Sequence, residues 1–285
     1  MKIFVQNQLC LILLFLCVEV ALSRPLQARP LIACGHPFYP PVSWVSNGQL
    51  TGLAPKVTQQ VFAELGHQVS LSAESNWKRC LLEVQQGNAD IVVAAYRISS
   101  RERYLDYSSQ HIISDTVTLF VNRKNPLHFQ QWQDLRGKTA GLLLGDSFGD
   151  SFDRFVHLNS PIEYVSRGQQ NFQKLALGRI DYMPLGQLSG QLQSRKLGLH
   201  EHITALQNTI TTEYYYLAVG KNSGLQQYLP AIDRRLREMH RDGTIVRLTK
   251  QFSQHYIETP YIETPYIETP YIETSYTDDS HIDEP

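Results

Sequence analysis

Cysteine is the side chain best suited to covalent or metal chemistry, and this chain has four, at positions 10, 17, 34 and 80. Neither Cys34 nor Cys80 has a histidine or carboxylate at ligand spacing around it, so no metal is expected. The order of residues shows no Ser/His/Asp arrangement, no His-x-x-x-His helix pair and no glycine-rich phosphate loop. Hydrolysis, metal catalysis and nucleotide chemistry therefore find no support, and no cofactor is expected. Lys and Arg number 26 against 27 Asp and Glu, a net charge of -1. That balance leaves no basic excess for phosphate contacts, which excludes nucleic acid as a partner.

The fate of the cysteines depends on the N-terminus. Lys2 precedes an apolar run over residues 9–22, broken only by Glu19. A basic start, a short apolar stretch and a small exit residue describe a secretory signal peptide. At about 14 residues the run is shorter than the ~20 needed to span a bilayer. Cleavage is expected after Ala21-Leu22-Ser23, giving a signal peptide over residues 1–23 and an exported mature chain. An uncleaved anchor is the alternative. Leu31-Ile32-Ala33-Cys34 also resembles a lipobox, although Arg24 and Arg29 stand between it and the apolar run. Cys10 and Cys17 leave with the signal, and two thiols in an oxidising compartment predict a Cys34–Cys80 disulfide.

The elements that must position any site read as alternating strands and helices. The apolar strand 31–34 leads into a loop through His36 and Tyr39 to Pro41, and Asn47-Gly48 is a hairpin-type turn signal. A helix is predicted over 55–65, with Val57, Val61 and Leu65 on one face and Gly66 closing it. Strand 69–71 and helix 77–86 follow. Residues 90–94 form a continuous apolar run, the mark of a strand buried on both faces. A second set comprises strands 117–121 and 139–144, a glycine-bearing turn over 145–149, helix 151–156, strand 162–165, helix 172–177 and strand 180–183. A long strand over 211–219 and an amphipathic helix over 225–239 complete it. Two such α/β sets imply two lobes with a cleft between them.

The tail differs. Tyr256-Ile257-Glu258-Thr259-Pro260 recurs from Tyr261 and Tyr266, and with Ser275 for Pro from Tyr271. A proline every fifth residue forbids helix and ordinary sheet, so residues 256–285 read as a disordered acidic extension.

Several patterns stand in one order: Tyr39-Pro40-Pro41, Gly48-Gln49-Leu50-Thr51-Gly52-Leu53-Ala54, Trp77, Gly87-Asn88-Ala89-Asp90-Ile91, Ser99 through Ser108, Leu135-Arg136-Gly137-Lys138 and Leu177-Gly178-Arg179-Ile180-Asp181. Over residues 30–256 this set resembles the family 3 bacterial periplasmic solute-binding proteins, the polar amino-acid receptors of ABC importers. The resemblance implies an α/β, two-lobed periplasmic-binding-protein fold of type II, with lobe 1 from 30–120 plus 212–255 and lobe 2 from 121–211. It implies that Arg103 clamps a ligand carboxylate, as a planar guanidinium can pair both oxygens at once. Tyr39 and Trp77 would wall the ligand, and Ser147 would meet the carboxylate from a helix N-terminus.

Departures from the family pattern bear on the ligand. Tyr96, Arg97 and Ile98 replace the small and hydroxyl-bearing residues upstream of the Arg motif. The stretch Tyr182-Met183-Pro184-Leu185-Gly186-Gln187 lacks the carboxylate that binds an α-amino group in amino-acid receptors, and His36 replaces a first-lobe Asp. A buried ammonium without a counter-charge is costly, so an anionic or aromatic solute gains weight, with Arg97 as a second anion contact. The leading reading is a monomeric exported protein that closes on a small-molecule ligand and passes it to an ABC permease in the inner membrane. The alternatives are a ligand-sensing partner of a membrane receptor and a dehydratase-like enzyme on the same fold.

Overall fold

The structure is a computed structural model that describes residues 29–260 apart from Ser75. The expected signal peptide and the repeats after Pro260 lie outside the described residues, and among those described no helix is long and apolar enough to cross a membrane. The first lobe grows from β1 (Leu31–Cys34), which pairs in parallel with β5 (Val69–Leu71) on one side and β6 (Ile91–Tyr96) on the other. All six residues of β6 are buried, as its unbroken apolar run predicts. Between these strands lie a small sheet of β2 (Phe38–Tyr39), β3 (Ser43–Ser46) and β4 (Gln49–Thr51), then α1 (Leu53–Glu64), and after β5, α2 (Trp77–Gln85). Asn47 and Gly48 turn β3 into β4 with φ of 51° and 73°, the left-handed pair a two-residue hairpin requires. The Asn76 carboxamide accepts the Arg79 amide at 2.9 Å and so fixes the start of α2.

The chain then passes through the single-turn α3 (Ser99–Glu102), β7 (Leu105–Tyr107) and β8 (Ile113–Asn122). The second lobe holds β9 (Ala140–Leu143), α4 (Asp150–Asn159), β10 (Ile162–Val165), α5 (Gly168–Ala176), β11 (Met183–Gly186) and α6 (Gln187–Lys196). The 18-residue β12 (Ile203–Gly220) returns antiparallel to β8 and then pairs with β6, and α7 (Leu229–Arg241) and α8 (Thr244–Glu258) finish the first lobe. The resulting order is β5-β1-β6-β12-β8-β11, with β7 on β12. The lobe borders expected at 120/121 and 211/212 fall inside the continuous strands β8 and β12.

A Cys34–Cys80 disulfide ties the end of β1 to α2, with the Cα atoms 5.6 Å apart. Around it Trp77, Leu81, Val84 and Val92 pack together with Leu143 and Val165 of the second lobe.

Three expectations need correction. The strand predicted over 180–183 begins only at Met183, because the Asp181 carboxylate accepts the Thr139 amide at 2.7 Å and holds the preceding residues in a turn. The helix predicted over 225–239 divides into a 3₁₀ turn at Leu225–Tyr228 and α7, whose first turn carries Pro230, where a missing N–H costs nothing. The tail does not start at Tyr256, since α8 continues through Glu258. Tyr256 packs on Trp44, ring centroids 5.3 Å apart, and the Lys196 ammonium lies 4.9 Å over the Tyr256 ring. The same ammonium donates to the Tyr256 and Thr259 carbonyls, the favourable position for a cation at a helix C-terminus.

Candidate functional site

Between the lobes lies a cleft. The first lobe contributes His36 from the β1–β2 loop, Tyr39 from β2, Trp77 from the first turn of α2, Tyr96 from the end of β6, and Arg101 from α3. Tyr215 comes from the crossing strand β12, and the second lobe adds Asp146, Ser147 and Phe148 from the loop after β9. The structure thus brings Tyr39, Trp77 and Ser147 to one cleft.

It does not bring Arg103 there. Its side chain is exposed, with Nε donating to the Ser100 carbonyl at 3.4 Å. Arg101 takes the inward place: residues two apart on a helix point about 200° apart, so one arginine of the pair must face out. Arg97 is also exposed, with Nε 2.5 Å from Glu102. Arg101 is 4% exposed. Its guanidinium lies 5.3 Å over the Trp77 ring, with Nη1 donating to the Tyr96 carbonyl at 3.2 Å and Nη2 to the Gly145 carbonyl at 2.9 Å. Among the described residues no carboxylate stands within ion-pair distance of it.

Ser147 is committed within its own loop. Its hydroxyl donates to Asp153, which also accepts the Phe148 amide at 2.8 Å. Burial raises the Asp153 carboxyl, and these two hydrogen bonds oppose the rise. The start of α4, where an anion was expected, is thus already met by a carboxylate of the chain itself.

Sequence reasoning missed a second cluster. Asp115, on β8, accepts the hydroxyl hydrogens of Tyr39 (2.6 Å) and of Tyr96 on one carboxylate oxygen. Tyr215 closes over them, its ring centroid 5.4 Å from Tyr39 and 4.4 Å from Tyr96. Burial above all holds the three phenols well above their ordinary value and raises the Asp115 carboxyl. Asp115 lies 67 residues upstream of Tyr182, where the segment 182–187 begins, and sits in a polar run, Ser114-Asp115-Thr116, that reads as exposed.

The lobes stand closed. His36 Nδ1 accepts the Phe38 amide at 3.0 Å, so the hydrogen on Nε2 faces Asp146 Oδ1, 3.0 Å away. Ser99 donates through its amide and hydroxyl to Asp150 at 3.1 and 2.6 Å, and Gly186 donates to the Tyr39 hydroxyl at 2.8 Å. The space left among these residues is about 20 Å³, room for roughly one water molecule, and a neighbouring cavity of about 20 Å³ shares His36, Tyr39 and Asp146.

Two α/β lobes shut on an aromatic and charged cleft, and joined by two long antiparallel strands, define a two-lobed binding protein of the periplasmic type. The pattern of the bacterial extracellular solute-binding proteins, family 3, matches residues 31–255. The chain belongs to that family. It is 26% identical over 216 residues to the L-cystine-binding protein TcyJ of Escherichia coli (strain K12), covering 75% of this chain and 79% of that protein. Among solved structures it is similar to the amino acid ABC transporter substrate-binding protein AbpA from Streptococcus pneumoniae Canada MDR_19A bound to L-arginine. That match has a TM-score of 0.69 at 19% identity, over 81% of this chain and 97% of the other. The ancestral amino acid-binding protein AncCDT-1, a precursor of cyclohexadienyl dehydratase, matches with a TM-score of 0.64 at 22% identity, over 78% and 95% of the two chains.

Proposed function

We propose that this protein is exported to the periplasm, captures a small amino-acid-type solute between its lobes without transforming it, and delivers it to an ABC permease. The observation that carries the reading is Arg101, a buried guanidinium at the mouth of both lobes with only carbonyl oxygens and an indole face as partners. A charge so placed needs an anion, and a ligand carboxylate would take two of its N–H groups in a low-dielectric enclosure. Because the closed cleft keeps only water-sized cavities, a solute enters by parting of the lobes, with bending at β8 and β12. The likeness to a cystine-binding protein supports a ligand bearing carboxylate groups.

The test is a thermal-shift screen of the mature protein against the protein amino acids, L-cystine and small organic acids, followed by calorimetry of each hit. At least one carboxylate-bearing solute should raise the melting temperature and be recovered chemically unchanged. Absence of any shift, or conversion of the bound compound, would refute the proposal.

A further inference from the structure

Charge is divided unevenly along the chain. Residues 261–285 hold seven of the 27 acids and none of the 26 Lys and Arg, so the net charge of -1 splits into -7 there and +6 over the rest. Part of that excess collects on the last two helices. Arg234, Arg237 and Arg241, three and four residues apart, form one stripe of α7 on the side away from the buried Ile232, Leu236 and Met239. Arg247 and Lys250 stand likewise on α8, away from Ile245 and Leu248. All five are exposed, and among the described residues none has a carboxylate within ion-pair distance. The acids of the same helices are engaged by other groups. Asp233 accepts the Ser109 and Gln110 amides at 2.7 and 2.9 Å, and Glu238 meets Arg235 at 3.3 Å. Asp242 accepts the Thr244 amide at 2.9 Å, and Glu258 the Gln254 carboxamide at 2.7 Å.

The first repeat shows what a cation can do with this sequence: the Lys196 ammonium lies 4.9 Å over the Tyr256 ring, held by the π face. Tyr-Ile-Glu-Thr recurs from Tyr261, Tyr266 and Tyr271, so each further copy offers a ring and a carboxylate to a guanidinium. Reach is ample. Residues 261–285, extended at ~3.1 Å each, cover about 80 Å, whereas α7 and α8 laid end to end measure about 40 Å. We infer that the outer face of α7 and α8 is the docking surface of this chain's own acidic tail, residues 261–285. The tail lies along it through carboxylate and tyrosine contacts to the five cations. Such exposed, screened contacts add little to folding. The tail therefore covers the face without joining the core, and what it controls is access to that face by other anionic groups.

The test uses the full mature chain with a nitroxide on Ser280→Cys, since Cys34 and Cys80 are paired with each other, and reads the broadening of backbone amide signals. At ~0.01 M salt, where charges act over about 30 Å, the signals of residues 234–250 should broaden more than those of any other exposed segment. At ~1 M salt, where the range falls to about 3 Å, that broadening should be lost. Arg234→Gln, Arg237→Gln and Arg241→Gln together should abolish it along α7. Replacing the seven tail acids by their amides, which leaves the folded body untouched, should abolish it along both helices. Broadening that is absent, spread evenly over the surface, or retained in both sets of variants would overturn the inference. A mixture of isotope-labelled chains without nitroxide and nitroxide-bearing chains without isotope identifies the donor of the tail. Broadening of residues 234–250 in that mixture would assign the face to the tail of a second copy and refute docking within one chain.

Discussion

Arg101 is the single buried Lys or Arg among the described residues, and its replacement separates binding from folding. Arg101→Ala should weaken carboxylate binding by about 2–5 kcal/mol, the cost of truncating one partner of a buried charge pair. Arg101→Lys should recover only part, because a point charge cannot reproduce the fork. Arg103→Ala should leave affinity and stability within about 0.5 kcal/mol, as exposed substitutions do; calorimetry on the two alanine variants decides between them, and a larger loss from Arg103→Ala would move the clamp. Asp115 yields a prediction of opposite sign for the ligand-free protein. Burial raises its carboxyl above the ordinary 3.8, so the folded state holds that proton more tightly than the unfolded state. Stability is then lost as pH rises from 3.8 through the raised folded value. Asp115→Asn should melt higher than the parent at neutral pH, and the gap should close below the ordinary carboxylate range. A gap independent of pH would show that packing, not charge, is responsible. At this scale local motifs singled out Tyr39, Trp77 and Ser147, which line one cleft. Choosing between Arg101 and Arg103 needed the phase of a one-turn helix, and Asp115 acts through a contact between distant segments that no local spacing encodes.

Among elements, legibility followed the apolar period. The buried β6 and the striped α1 announce themselves, as does the Asn47-Gly48 hairpin. Helix α6 does not, because its buried residues include Ser189, Gly190, Gln193 and Ser194 alongside Leu192. It packs by close approach: a Cβ on Gly190 would lie 2.1 Å from the ring of Phe120 on β8. Glycine to alanine inside a helix ordinarily stabilises by about 0.5–1 kcal/mol. At Gly190 the sign should reverse, with Gly190→Ala destabilising by about 1–3 kcal/mol through overpacking. Gly190→Ala/Phe120→Leu should regain part of the loss. Denaturant melts of the two variants measure this, and a more stable single variant would mean that α6 can move off β8. Since α6 also carries Lys196, its seat on β8 fixes where the second lobe meets α8.

For the whole molecule, closure rests on contacts contributed by both lobes, and the end of α8 adds one outside the cleft. Lys196, on α6 of the second lobe, caps the last carbonyls of α8, while Tyr256 on α8 packs against Trp44 of the first lobe. The first copy of the repeat therefore belongs to the folded body, although its proline-punctuated sequence reads as part of an extension. Pro260 stops the helix only at the residues just before it, and the aromatic contact and the ammonium hold the turn that remains. Truncation separates these roles. A chain ending at Pro260 should keep its melting temperature and its ligand affinity. A chain ending at His255 loses an aromatic pair and a helix-terminal cation, together about 1–2 kcal/mol, or roughly 2–8 °C in melting temperature. Because the lost contacts join the two lobes, the ligand-free truncated protein should also show a larger radius of gyration in small-angle scattering, restored by saturating solute. If the His255 truncation lowered the melting temperature with no change in scattering, the contact would stabilise the first lobe without holding the lobes together.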